Sequence, residues 1–500
     1  MAFDGSDEQS MPERTAPVSL YELPPLIPPA SREPSWLIVL GVACFLSFLT
    51  LVWWNHRVSQ DADPVSFQTA MSARSGTYVV EMLLYYRQDQ SATPFATALP
   101  SAEQTAGQTA RDWQTISEQT TDTEHQGLTA LNAAALYHVA GNNVSARAML
   151  ARAERRDRPH APLYRALQPL YSEPARPVHI TTEMRGLLDR ISTGPLVLAR
   201  NAELSGKSGE ITAALRPGAR AAQRLVLVMI VIGFAFISLL IVMLLVLALA
   251  GPRTWRAAGE MQQTPGAEVP WGIGTGLIVV SLSYFTVALL QGMLQAVLPV
   301  KNNPSAEMLV TLTATLLGPV IIIGLFLLAL DRKPWEWGVL GWTPTRQGIR
   351  YGVTAVLAAL PIILGVSWFA NQLFNTDQGT NPLISELVAT DSVPLKLMIV
   401  LTAVVVAPLV EETLFRGILF RAANVRLPFW TAAFVSGFIF ASGHYLLVAL
   451  LPITLLGMLF AFLTRRSQSL LASAGAHAVY NGIITVMMLL LSWAMRGPGS

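Results

Sequence analysis

Residues 397–444 read LMIVLTAVVVAPLVEETLFRGILFRAANVRLPFWTAAFVSGFIFASGH, and their reading decides the fold. Two apolar runs flank a basic turn at Arg426, Leu427 and Pro428. Such a pair reads as antiparallel membrane helices, because in hydrocarbon each backbone N–H and C=O must be bonded inside its own segment. The charged and ionisable groups set within it, Glu411, Glu412, Arg416 and His444, are costly at membrane depth, so each requires a reason.

Working outward, further apolar runs lie near 225–250, 271–298, 308–330, 351–374, 449–463 and 469–494, and an early one spans Trp36 to Trp54. With the pair above, near 395–420 and 428–448, these make about nine spans of roughly the length a hydrocarbon core demands. The run at 449–463 is short and contains Pro452, so it reads as a re-entrant or strongly tilted segment. Composition agrees: 52% of the 500 residues are hydrophobic and only 13% charged, with mean hydropathy +0.44, which excludes an ordinary soluble protein. The balance of 34 basic against 32 acidic residues, with no basic stripe, excludes nucleic acid as a partner. The single cysteine, Cys44, permits neither an intrachain disulfide nor a cysteine metal site.

Two segments depart from the membrane pattern. Residues 1–35 are rich in Pro, Ser and acidic groups and read as a disordered tail, followed by an uncleaved anchor at 36–54. Residues 55–224 have ordinary composition and the length of an independent helical domain. There Tyr137, Gly141, Ala146, Leu150 and Ala153, followed by Pro159, fit either the second half of a tetratricopeptide-type hairpin or a plain Ala-rich helical pair. The expected fold is therefore an all-α polytopic membrane bundle with an inserted soluble helical, tetratricopeptide-like domain. Its transmembrane helices run over 225–394, and its core, at 395–494, carries the polar motifs.

Loops with Arg332, Lys333, Arg346 and Arg350, with Arg421 and Arg426, and with Arg465 and Arg466 alternate with loops poor in basic charge. The positive-inside rule makes them cytoplasmic, which puts the N-terminus inside and 55–224 outside. Arg216, Arg220 and Arg224, on the outer side of the second span, run against that rule.

The chemistry concentrates in the last quarter. On a helix, Glu412 and Arg416 form an i,i+4 pair that neutralises itself, whereas Glu411 is rotated about 100° and faces elsewhere. Glu411 and His444 lie about sixteen residues on either side of the Leu427-Pro428 turn, so the hairpin sets them level, roughly 24 Å along each helix. His477 and Asn481 share one face of the last span. A carboxylate that activates water, with neutral donors where an oxyanion develops, suits peptide hydrolysis. In that scheme His477 and Asn481 donate to the tetrahedral intermediate, and His444 holds the water or shuttles its proton. A zinc site of Glu411, His444 and His477 is the rival, but the metalloprotease spacing of two histidines around a glutamate is absent, so no cofactor is expected. Gly272, Gly274 and Gly276 read as helix packing and not as a phosphate loop.

In order, Glu411-Glu412-x-x-x-Arg416-Gly417, Phe440-x-x-x-His444 and His477-x-x-x-Asn481 closely resemble the motifs of the CAAX prenyl protease and bacteriocin-processing (Abi) family of intramembrane endopeptidases, over about residues 395–490. The resemblance implies that Glu411 activates the water, that His444, His477 and Asn481 complete the catalytic set, and that Glu412, Arg416 and Phe440 support it. The leading reading is an endopeptidase acting on a hydrophobic or lipid-modified peptide from the bilayer of a bacterial-type plasma membrane, with 55–224, which lies outside the resemblance, recruiting substrates or a protein partner. A non-catalytic scaffold or immunity protein acting through the insert is the alternative. A proton-coupled transporter would need an inverted repeat with paired broken helices, which the sequence does not display.

Overall fold

The computed structural model describes residues 33–62, 67–88, 101–264, 266–298, 303–332, 337–374, 386–388, 390, 392–444 and 447–495, and every helix or strand among them is a helix. The expected tail lies outside the described residues as far as position 32. The chain begins with α1 (Ser35–Ala62), followed by α2 (Phe67–Gln88), α3 (Ala102–Gln119), α4 (Thr123–Val139), α5 (Asn143–Arg156), α6 (Ala161–Leu167), α7 (Thr182–Asp189) and α8 (Gly194–Leu204). Then come α9 (Ser208–Gln263), α10 (Ile273–Val297), α11 (Pro304–Ala329) and α12 (Arg346–Phe374). The last four are α13 (Val393–Arg426), α14 (Phe429–Ser442), α15 (Leu447–Ser467) and α16 (Leu470–Ala494).

Seven of these, α9 to α13, α15 and α16, are long and apolar enough to cross a membrane, and shorter apolar helices occupy Ser35–Thr50 and Phe429–Ser442. The segment around Pro452 belongs to the continuous 21-residue helix α15. Pro452 sits only in its second turn, where a missing N–H costs one intrahelical bond without breaking the helix. The short member of the set is α14, at 14 residues.

Close approach fixes the bundle. A Cβ on Gly41 would stand 2.6 Å from the Gly274 carbonyl oxygen, and one on Gly274 would stand 2.4 Å from that of Leu37. The glycines at the start of α10 thus serve its contact with α1. The Glu33 carboxylate accepts the backbone N–H groups of Gly274 (3.1 Å) and Thr275 (2.8 Å), closing the N-terminus of α10.

Helices α2 to α8 and the start of α9 enclose a separate core that includes Trp113, Leu131, Leu150, Tyr164 and Leu187. Within it α4 and α5 form a helical pair over the stretch from Tyr137 to Ala153, and the pair by itself does not make a tetratricopeptide repeat. Gly141 takes φ +76° in its turn, and Ala146, Leu150 and Ala153 are buried. The insert is joined to the membrane part by α9, which runs unbroken for 56 residues, about 84 Å at the usual rise. The expected boundary near 224 therefore lies inside a continuous helix. One face of that helix packs small residues, Gly218, Ala219 and Ala222, against α2, where a Cβ on Gly218 would strike the Glu81 carboxylate.

Candidate active site

The helix that carries the acidic pair is irregular, and side chains from other segments hold it so. α13 is π-helical over Thr402–Val406 and again over Thr413–Phe420, with α-helical Ala407–Glu412 between them. Ala407 donates its N–H to the carbonyl of Thr402, five residues back. The next donor in that pattern would be Pro408, which has no N–H, so the Ala403 carbonyl lacks its backbone partner. Asn481 of α16 supplies one, donating Nδ2–H at 2.7 Å. In the second π stretch the carbonyl of Phe415 accepts the Ser436 hydroxyl (2.9 Å) and that of Ile418 accepts the Trp271 indole (3.0 Å). The Thr413 hydroxyl donates to the Leu409 carbonyl (2.7 Å) and accepts the Trp342 indole N–H (3.0 Å). Side chains of four other segments thus fix the backbone that presents the acids.

Glu412 and Arg416 are fully buried. Arg416 donates one guanidinium nitrogen to Glu412 Oε1 and the other to the Gly457 carbonyl, both at 3.0 Å. Its guanidinium carbon lies 4.5 Å from the Phe440 ring centre and 5.2 Å from that of Phe460, so aromatic faces as well as the carboxylate offset its desolvation. Room for it depends on Gly457, where a Cβ would stand 2.9 Å from Arg416 Nη2 and 2.7 Å from the Cα of Gly437.

His477 connects the two acids. Its Nδ1 lies 3.2 Å from Glu412 Oε1 and its Nε2 lies 3.7 Å from Glu411 Oε2. Since an ionised carboxylate only accepts, Nδ1 carries hydrogen toward Glu412, which fixes the ring in the manner of a carboxylate-oriented histidine. Phe460 stacks on the ring at 4.9 Å and 27°. Glu411, unlike Glu412, keeps 26% of its side chain open.

His444 stands just beyond α14. Its Nδ1 faces the Phe440 carbonyl at 3.1 Å and therefore carries the hydrogen, leaving Nε2 as an acceptor in the neutral ring. The Phe440 ring lies 4.9 Å from His444 and 5.7 Å from His477, edge-on to both, and so stands between the two imidazoles. The motif residues therefore assemble, but with different partners from those expected. Among the described residues no hydrogen bond or ion pair joins Glu411 to His444. His477, expected as an oxyanion donor, gives its Nδ1 hydrogen to Glu412, and Asn481 spends one amide hydrogen on Ala403. Glu411, His444 and His477 do not converge as ligands: among the described residues no group of three or more His, Cys, Asp or Glu side chains could hold a metal ion.

Sequence reading missed Trp271, Trp342, Ser436, Gly457 and Phe460. The glycine within an apolar helix and the two tryptophans offered a faint signal, but only the fold tells which carbonyl, hydroxyl or cation each one meets.

Residues 393–483 match the family described as type II CAAX prenyl endopeptidase, Rce1-like. The match covers α13 to α15 and the first half of α16. The chain is similar to YdiL of Bacillus subtilis (strain 168), described as a candidate membrane peptidase, with 36% identity over 93 residues, 19% of this chain and 38% of that one. It is similar also to an uncharacterized 24.3 kDa protein of Escherichia coli, 28% identical over 142 residues, 24% of this chain and 65% of that one. The chain thus spans less than two thirds of either relative. No solved structure matches it. The matched segment holds both acids, both histidines, Arg416 and Asn481, and apolar helices and family together mark an integral membrane protein.

Proposed function

We propose that the protein is an intramembrane endopeptidase of the CAAX-protease and bacteriocin-processing type, with Glu411 as general base. The observation that carries the reading is the contrast between neighbours: Glu412 is sealed into an Arg416–His477 network, while Glu411, beside the same His477, keeps 26% of its side chain open. Paired acids held in unlike environments are how one site separates a structural from a chemical role.

In the reaction, Glu411 takes a proton from a water whose other hydrogen is accepted by His444 Nε2. The water oxygen adds to the scissile carbonyl carbon, and the second amide hydrogen of Asn481 meets the oxyanion. Glu411 then returns the proton to the departing amine as the C–N bond breaks, leaving a carboxylic acid and an amine. His477 orients Glu411 and ties it to Glu412 and Arg416. No step passes through a metal. The name of the matching family and the apolar surroundings support a hydrophobic or lipid-modified peptide substrate entering from the bilayer. The basic loops support a plasma membrane orientation with the N-terminus inside and 55–224 outside, where the helical insert would recruit a partner.

The test compares Glu411→Ala with deletion of 55–224 in cells that show a phenotype on loss of the protein. Loss of the phenotype's rescue by Glu411→Ala at native abundance supports the peptidase. Full rescue by Glu411→Ala, with none by the deletion, would establish the scaffold reading in its place.

A further inference from the structure

Independently of the catalytic reading, we propose that the Arg216, Arg220 and Arg224 row of α9 binds the phosphate of an anionic phospholipid. The three arginines follow at intervals of four, so they share one helix face. With Pro217, Gln223 and Leu227 they line a groove of about 520 Å³. The opposite face, at Gly218, Ala219 and Ala222, is buried. Arg216 and Arg220 are exposed and make no ion pair among the described residues.

Depth argues for lipid. The exposed apolar surface of α9 begins at Val226 and runs to Leu249, about 36 Å at 1.5 Å per residue, which matches a hydrocarbon core of roughly 30 Å crossed with some tilt. Trp255, 79% exposed, marks the far boundary. At the near boundary the Arg224 guanidinium lies 5.5 Å from the Trp493 ring centre, and tryptophans favour the headgroup level. Arg220 is then about 6 Å beyond that level, within a headgroup layer of about 5–8 Å, and Arg216, about 12 Å beyond, must reach back to its outer edge with its long side chain. Leu227, one turn deeper on the same face, meets the first methylenes of an acyl chain. The row also resolves a conflict with the positive-inside rule: cations that hold lipid phosphate need not be topological signals.

The test is native mass spectrometry of the full chain in detergent micelles, titrated separately with dioleoyl-phosphatidylglycerol, dioleoyl-phosphatidylcholine and inorganic phosphate. Interfacial arginines contribute about fivefold each, so Arg216→Ala with Arg220→Ala is expected to weaken phosphatidylglycerol binding about 25-fold. Arg216→Lys with Arg220→Lys is expected to retain most of it, and Arg253→Ala with Arg256→Ala, at the other end of the span, to leave the site unchanged. Equal binding of the two lipids, a loss under twofold in the Arg216/Arg220 pair, or displacement of the lipid by equimolar inorganic phosphate would each overturn the proposal.

Discussion

Removing Arg416 together with its carboxylate should cost clearly less than the sum of removing each alone. Arg416→Met leaves Glu412 fully buried, with only His477 Nδ1 at 3.2 Å to face its charge, and leaves the Gly457 carbonyl without the guanidinium it accepts. Breaking one side of such a pair costs about 3–5 kcal/mol, roughly two to four powers of ten in the folding equilibrium. Glu412→Gln alone strands the guanidinium in the same way, although the rings of Phe440 and Phe460 retain part of its stabilisation. The double variant, with no buried charge left, should recover at least about 2 kcal/mol of the summed losses, the size expected for groups within one network. Unfolding in mixed micelles with increasing dodecyl sulfate, followed by tryptophan fluorescence, measures the cycle. Additive single losses, or an Arg416→Met variant within about 0.5 kcal/mol of the native protein, would refute the view that this pair holds the acidic helix in place.

Three further outcomes follow from the same structure. Burial without any hydrogen bond pushes the Glu81 carboxyl well above its ordinary value of 4.5; the folded state therefore binds more protons than the unfolded one, and stability falls as pH rises above 4.5, by about 1.4 kcal/mol per unit until the raised value is passed. Glu81→Met should flatten that dependence, giving a higher melting temperature than the native protein at pH 8 and a similar one below pH 4.5. Gly457→Ala forces α14 and α15 apart and presses on Arg416, so thermal stability should drop by an amount typical of core overpacking, about 1–3 kcal/mol; Gly233→Ala, with open space around it, is the control. Once a substrate is known, cleavage should persist in excess chelator, and loss restored by added zinc would redirect the mechanism to a metal.

The spans were legible because an apolar run without charges has few other uses, and the pairing of Glu412 with Arg416 followed from helical spacing alone. What could not be read was the backbone of α13. Its two π stretches depend on donors from elsewhere, Asn481 for Ala403, Ser436 for Phe415 and Trp271 for Ile418, and no local periodicity encodes them. Counting residues to the Leu427-Pro428 turn put Glu411 level with His444, yet the carboxylate's nearest imidazole belongs to His477 on the last helix, because the hairpin's depth says nothing about which third helix inserts. The run around Pro452 looked short because its helical start at Leu447 was not read; in the second turn of α15 the proline leaves the helix intact.

The central claim, that Glu411 does chemistry while Glu412 holds structure, is tested most directly by profiling the peptide termini of membrane proteins in cells that express the native protein or Glu411→Gln at equal abundance. Glu411 is partly open and Gln is nearly its isostere, so the variant should melt within a few degrees of the native protein while the termini that the native protein generates disappear. The same termini persisting in a correctly folded Glu411→Gln would contradict the account.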